Sequence, residues 1–363
     1  MPLIQVAISA VLFIAILAIL VLIHEIGHFV LARRAGVRVH EFGVGFPPRA
    51  KVLRNDGETL YTLNWLPIGG FVKLEGEDGD SDDPRSFTRA PFLVKQAILV
   101  AGVVMNLILA LAIMVTVAWL PQQILGIGIG YVDPTSPAAE AGLVPGDVLY
   151  SLDGEVYDQF DAGRLLEDLR ASAGETVTIG IQHADGEQEA LTVTLRTPEE
   201  IAPDKGALGV GDFTAVLLDE TFTRTPAEAI ATGVERTIDA FGLIINGLAA
   251  LIGSIASEPT QPPPVTGPIG IFEQVNLVFW QAGIVPTLYL AGLLSANLAL
   301  VNILPFPPLD GGRMLMLAIK AAVGTRLSVR VEQLTYMVGF VFLFGFLIYV
   351  TLFDILRIGG VGQ

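Results

Sequence analysis

The chain has 363 residues, of which 52% are hydrophobic and only 16% charged, with a mean hydropathy of +0.62; this is too apolar for an ordinary soluble enzyme. A formal net charge of −16 argues against nucleic acid as a partner. The lack of cysteine excludes disulfides and thiolate metal sites, so any metal must rest on histidine and carboxylate.

Four stretches are long and apolar enough to cross a bilayer, which takes about 20 such residues: 3–23, 98–120, 286–304 and 336–353. The first has no basic leader and no small-residue cleavage site, so it is expected to be a retained helix rather than a signal peptide. At its end stands His24-Glu25-x-x-His28. Residues four apart share one face of a helix, so both imidazoles can serve a single ion. Glu25, beside the first of them, is placed to take a proton from a water at that ion. This is the H-E-x-x-H pattern of zinc hydrolases. A chain with four histidines has put two of them at membrane depth, where ionisable groups are costly unless paired; that setting favours a metal over chance.

Residues 35–95 contain alternating polar and apolar stretches, with Asn55-Asp56-Gly57 as a hairpin turn signal. The following PIGGFVKLEGE reads as a further strand bounded by glycines. Beyond the second span, residues 122–225 read as a soluble α+β region. The segment 236–256 could pass for another span, but parity of the crossings favours an interfacial helix. The Pro-rich stretch 258–270 is not helical. Basic residues collect after the first span (Arg33, Arg34, Arg38, Arg49, Lys51, Arg54) and after the third (Arg313, Lys320, Arg326, Arg330). Both flanks are therefore expected in the cytoplasm, with the acidic domain and both termini outside.

A tetrahedral zinc site with one open position needs a third protein ligand. The metzincin position, ten residues after His24, is Arg34. His40 and Glu41 lie close in sequence but follow Gly36 and enter the strand region. Asp310 in NILPFPPLDGGR is the better candidate, because Pro305, Pro307 and Pro308 break the third apolar helix there. Broken backbone at membrane depth is tolerated only against protein or a wet cavity. The first and third spans also end on the same side of the membrane.

With these motifs the chain resembles the site-2 protease family of intramembrane zinc metalloproteases, most closely the bacterial regulator-of-sigma-E type. Further similarities are GFVKLEGE (Gly70–Glu77), which looks like that family's membrane re-entrant β-loop, and GPIGI (Gly267–Ile271) before the third span. Val103 and Pro47 depart from the usual pattern, away from the proposed ligands. The resemblance implies a polytopic α-helical membrane protein with four transmembrane helices, a re-entrant β-hairpin region and an inserted α+β PDZ-like domain. Its expected parts are 1–120 (first membrane core), 121–200 (PDZ-like), 201–282 (linker with interfacial helix) and 283–363 (second membrane core).

The implied activity is cleavage of transmembrane segments of single-pass proteins, such as anti-sigma factors or signal-peptide remnants, within the bilayer of the bacterial inner membrane. One zinc ion per chain would rest on His24, His28 and Asp310, with Glu25 as general base. Asn302, by analogy, binds substrate backbone; a helix–helix hydrogen bond is its alternative role, as for Asn106 and Asn297. A strand at Gly69–Leu74, with Gly70, Phe71 and Val72, is suited to hold an unwound segment by β-augmentation, or else plugs the cavity. The stretch from Gly126 to Leu195 resembles a PDZ domain, with turns at Gly142 and Gly146, inward Val148 and Leu149, and an amphipathic helix over Phe160–Leu169. It is expected to exclude bulky substrates and to bind a peptide C-terminus or an outer-domain fragment as a second role. The alternative for the whole chain is a non-catalytic membrane scaffold. His40 and His183 receive no role.

Overall fold

A computed structural model describes residues 3–77, 81–201, 206–257, 262–323 and 329–358. Arg326 and the head of the Pro-rich stretch, 258–261, lie outside them. The chain divides into two compact units, residues 1–117 with 229–363, and residues 118–228.

The first unit is mainly helical. Its helices are α1 (Leu3–Arg34) and α2 (Phe92–Trp119), and later α5 (Pro226–Ser257), α6 (Pro268–Ala282), α7 (Ile284–Ile303), α8 (Asp310–Val323) and α9 (Val329–Ile358). Large apolar side chains point outward along them: Leu3 and Ile4 are 90% and 70% exposed on α1, and Ile252 and Val341 are 70% and 65% exposed on α5 and α9. Water would penalise such a surface heavily and lipid does not. Long apolar helices of this kind make the chain a multi-pass membrane protein. Among the described residues five helices are long and apolar enough to cross a bilayer, one more than the sequence suggested.

The additional helix is α5, which starts ten residues before the segment read as interfacial. Glu235, Arg236 and Asp239 interrupt its first half and hide its length from a hydropathy reading. It touches α2 closely at two places: a Cβ on Gly233 would meet the Val115 backbone at 2.7 Å, and Ala240 packs with Ala110 of α2 and Ala296 of α7. Small residues are what let helix backbones approach in this way.

Between α1 and α2 the chain forms β1 (Val39–Asn55) and β2 (Leu60–Leu74), an antiparallel pair. Asp56 makes the turn, its Oδ1 accepting the N–H groups of Glu58 and Thr59. Both strands bend, so that Glu41–Val44 pair with 70–73 as well as with 60–63. Residues 70–74 thereby form an edge. Arg33 at the end of α1 donates to Asp56 and to the Tyr61 hydroxyl, and Phe29 packs on Phe42 and Tyr61. These contacts fasten the hairpin to the helix that carries both histidines. The far part of the hairpin exposes Val52, Leu53, Trp65, Leu66 and Ile68.

Helices α6 and α9 are joined by a buried carboxylate. Asp354, 2% exposed, accepts the N–H groups of Gly267 and Gly270 at 3.2 and 3.0 Å, the amides at the start of α6. A Cβ on Gly267 would stand 2.7 Å from Asp354 Oδ2, so the glycines of GPIG make room for that carboxylate. Asp354→Ala leaves both amides buried without an acceptor and is expected to cost about 2–4 kcal/mol. The check is thermal unfolding of the purified protein in detergent; an unchanged transition would show that this cap is dispensable.

The second unit holds β3 (Gln122–Val132), α3 (Pro137–Glu140), β4 (Val148–Leu152), β5 (Glu155–Val156), α4 (Ala162–Ala171), β6 (Thr176–Gln182), β7 (Gln188–Thr194) and β8 (Val210–Phe222). The sheet order is β7-β6-β4-β3-β8, with β5 paired to β4. Its core gathers Ile129, Leu149, Leu165, Ile179 and Ile181. Gly142 and Gly146 adopt φ of +93° and +104°, where a Cβ is strained. Leu149 is buried as expected, whereas Val148 is only half-buried. His183 is not a lone surface residue: its Nδ1 pairs with buried Asp147 at 2.9 Å and its Nε2 with Glu189 at 3.3 Å. These two carboxylates raise its pKa above the ordinary value.

Candidate metal centre

Two elements bring three ligand atoms to one point. His24 and His28 project from one face of α1, and Asp310 is the first residue of α8. Asp310 Oδ2 lies 2.9 Å from His24 Nε2 and 3.3 Å from His28 Nε2, and the two Nε2 atoms are 3.1 Å apart. Zinc bonds of about 2.0–2.1 Å in a tetrahedron set neighbouring ligands about 3.3 Å apart, so the spacing of this trio fits one divalent ion. Among the described residues it is the one group of three such donors close enough to share an ion. His40 and Glu41 are elsewhere: His40 pairs with Glu75, and Glu41 accepts from Arg49 and Thr62.

The proline-broken turn explains how Asp310 arrives there. α7 ends at Ile303, the chain folds back over 304–309, and Leu309 N–H is accepted by the Phe306 carbonyl. Gly311 and Gly312 lie so close to this turn that Cβ atoms would fall 2.1 Å from Ile303 O and 2.5 Å from Phe306 C. The two glycines after Asp310 are therefore a packing requirement.

α2 walls the cluster from a third side, which the sequence did not disclose. Gly27 lets α2 approach, since a Cβ there would sit 2.4 Å from the Ala101 carbonyl oxygen. Ile98, Gly102 and Asn106 follow at four-residue spacing on the face turned to the histidines. The Ile98 carbonyl accepts from His28 Nδ1 at 2.8 Å, which leaves Nε2 as the free ligand atom. Gly102 gives the rings their space: a Cβ there would lie 2.5 Å from His28 Nε2 and 2.7 Å from His24 Nε2. Asn106 lies against His24 Nδ1 at 3.4 Å.

Two cavities flank the trio. One, of about 240 Å³, is lined by Gly70, Phe71, Val72, Glu77 and Arg313 as well as by His24, Glu25, His28 and Asp310. The other, of about 230 Å³, is lined by Asn106, Asn302, Leu298 and Pro308 with His24, Glu25 and Asp310. Glu25 thus borders both, and the expected ligands, base and substrate-binding residues each line at least one of these two spaces. Asn297 does not line either of them.

Glu77 and Arg313, 236 residues apart, escaped the sequence reading. Glu77 Oε1 accepts from Arg313 Nη1 at 2.5 Å and Oε2 accepts the Leu74 N–H at 3.1 Å. The pair ties the end of the edge strand to the helix that carries Asp310.

A family model described as "Peptidase family M50" matches residues 12–346. Three relatives, each named "Putative zinc metalloprotease", come from Clostridium perfringens, Nostoc sp. and Synechocystis sp.. The first is 32% identical and covers 93% of this chain and 95% of its own. The second is 31% identical, covering 92% of each; the third is 32% identical, covering 96% of this chain and 95% of its own. Among solved structures, the PDZ domain of an SdrC-like protein from Listeria monocytogenes is 25% identical over 25% of this chain and 87% of that one, with a TM-score of 0.20.

Proposed function

The chain belongs to peptidase family M50 and is a zinc metalloendopeptidase; from that premise we propose that it cuts transmembrane segments of single-pass proteins within the bilayer. The observation that carries this reading is the His24–His28–Asp310 cluster: both histidines stand on α1, a helix long and apolar enough to cross a membrane, and Asp310 opens α8 just past the proline turn that ends α7, a second such helix. Ligands set in such a helix and beside the end of another suit a substrate that is itself in the membrane.

His24, His28 and Asp310 hold one zinc ion in this reading. A zinc ion supplies Lewis acidity, which lowers the pKa of water and polarises a peptide carbonyl. The Glu25 carboxylate takes the proton of the attacking water and delivers it to the leaving amine nitrogen. An intact helix offers no free backbone groups, so the substrate must unwind before attack. The edge strand 70–74 is the surface on which we place the unwound segment, through Gly70, Phe71 and Val72. Alternation along a strand turns the N–H groups of Gly70 and Val72 to the same side as that of Leu74, whose partner is a side chain, Glu77. Asn302 offers its amide to substrate backbone from the second cavity.

The exposed apolar part of the hairpin suits insertion into the bilayer as a re-entrant element. We place four crossings in the membrane, with α5 as an interfacial helix, the cluster near the cytoplasmic side and the α+β unit outside as a PDZ-like filter against bulky substrates. The membrane is the bacterial inner membrane, and the substrates are of the anti-sigma-factor or signal-peptide-remnant class.

The test is reconstitution into liposomes with a single-pass substrate labelled on both sides of its transmembrane segment. Cleavage within the segment is expected, with loss on chelation and recovery on adding zinc. Asp310→Ala is expected to lose both stoichiometric zinc and cleavage. A protein that cuts equally well after complete removal of zinc would overturn the reading.

A further inference from the structure

Of the two histidines, only His28 has its outer nitrogen satisfied by an acceptor. Its Nδ1 faces the Ile98 carbonyl, which has no alternative but to accept. The Nδ1 of His24 instead faces the side-chain nitrogen of Asn106 at 3.4 Å. When His24 Nε2 is given to a metal, Nδ1 carries the proton. An N–H group opposite an amide NH2 is donor against donor and makes no hydrogen bond.

The same side chain has a second deficiency. Asn106 is fully buried, and its Oδ1 has no hydrogen-bond partner among the described residues. A buried acceptor left alone costs about 1–3 kcal/mol. A half-turn of the terminal torsion exchanges the amide nitrogen and oxygen, which puts an acceptor against the ring and turns the NH2 into the place that Oδ1 held. Oδ1 then meets the His24 Nδ1–H. The backbone at this position is meanwhile held in place: the Asn106 carbonyl accepts from the Ser295 hydroxyl of α7 at 2.8 Å.

We propose that Asn106 is a positioning residue whose amide oxygen accepts the Nδ1–H of His24 and fixes that ring with Nε2 toward the zinc. The inference rests on the zinc reading above. It makes one face of α2 the orienting element for both imidazoles, through a main-chain carbonyl for His28 and through a side chain for His24. Groups that hold ligating histidines in this way change metal affinity by about 10–100-fold when removed.

The experiment is zinc competition against a chromogenic chelator with full-length protein in detergent, alongside thermal unfolding of the zinc-free form. Asn106→Leu keeps the volume and removes the acceptor; it is expected to weaken zinc binding about 10–100-fold. Asn106→Asp restores an acceptor and is expected to bind zinc at least as tightly as the wild type to within about threefold, since a carboxylate serves the same role in other histidine–zinc pairs. Should the leucine variant fail to fold, Asn106→Ala takes its place in the same comparison. Equal affinity in the leucine and wild-type proteins would overturn the proposal. So would an aspartate variant that folds yet binds as weakly as leucine. Failure of the wild type to bind zinc at all would instead remove the zinc reading itself.

Discussion

Glu25→Gln is expected to lower kcat for a transmembrane substrate by about 10²–10⁴-fold, the usual contribution of a placed general base, while zinc content stays at the wild-type level. The amide keeps the shape of the carboxylate and loses only its basicity. Glu25 is adjacent in sequence to a ligand but is not one: the trio closes on His24, His28 and Asp310 alone. Its side chain stands between the two cavities, with Cγ 3.8 Å from where a Cβ on Gly70 would be. In the proposed mechanism a carboxylate there would serve both the attacking water and a peptide nitrogen of a segment lying along strand 70–74. The liposome assay with zinc quantified in the same sample separates the two effects. Cleavage within tenfold of the wild type, with zinc bound, would show that the proton is carried by another group.

The chemistry was legible in the sequence to the degree that it is local or rests on unusual residue types. His24, Glu25 and His28 share two turns of one helix, and their types are rare among aliphatic neighbours, so the pattern announces itself. Asp310 was reachable because three prolines mark a helix break beside it. The hairpin followed from Asn55-Asp56-Gly57, and the structure closes its turn on Asp56. What stayed hidden is tertiary and chemically plain. The Ile98 carbonyl and the space left by a glycine at 102 carry no signature, and the amide at 106, read as a candidate for a helix–helix hydrogen bond, shows its neighbour only when α2 is seen against α1. Glu77 and Arg313 look like solvated charges until 236 residues of chain bring them together. Asp354 lies one residue past the last predicted span and drew no notice in the sequence; its place becomes intelligible once the amides of Gly267 and Gly270 are found over it. α5 was shortened for the opposite reason: its charged first half obscured a continuous helix.

Gly102→Ala, a change of one methyl group, is expected to weaken zinc binding by about 100-fold or more, the upper end for residues that orient ligands. The added carbon would stand 2.5 Å from His28 Nε2 and 2.7 Å from both Nε2 and Cε1 of His24, well inside contact distance for carbon atoms at about 3.5–4.0 Å. Something must move, and the choices are few. α2 cannot retreat readily, because it is seated on α1 where Gly27 meets the Ala101 carbonyl and because the Ile98 carbonyl is committed to His28. The imidazoles can turn, but turning them carries Nε2 away from Asp310. The methyl group therefore acts on the metal site before it acts on the fold. Gly247→Ala in α5 supplies the control: nothing among the described residues lies within 4 Å of a Cβ there, and alanine favours a helix over glycine by about 1 kcal/mol, so zinc binding is expected to be unchanged. The two variants are compared by chelator competition and thermal unfolding of the zinc-free proteins. If Gly102→Ala binds zinc as tightly as Gly247→Ala, the rings do not need the space that Gly102 leaves, and the closeness of α2 to the ligands has no bearing on the metal.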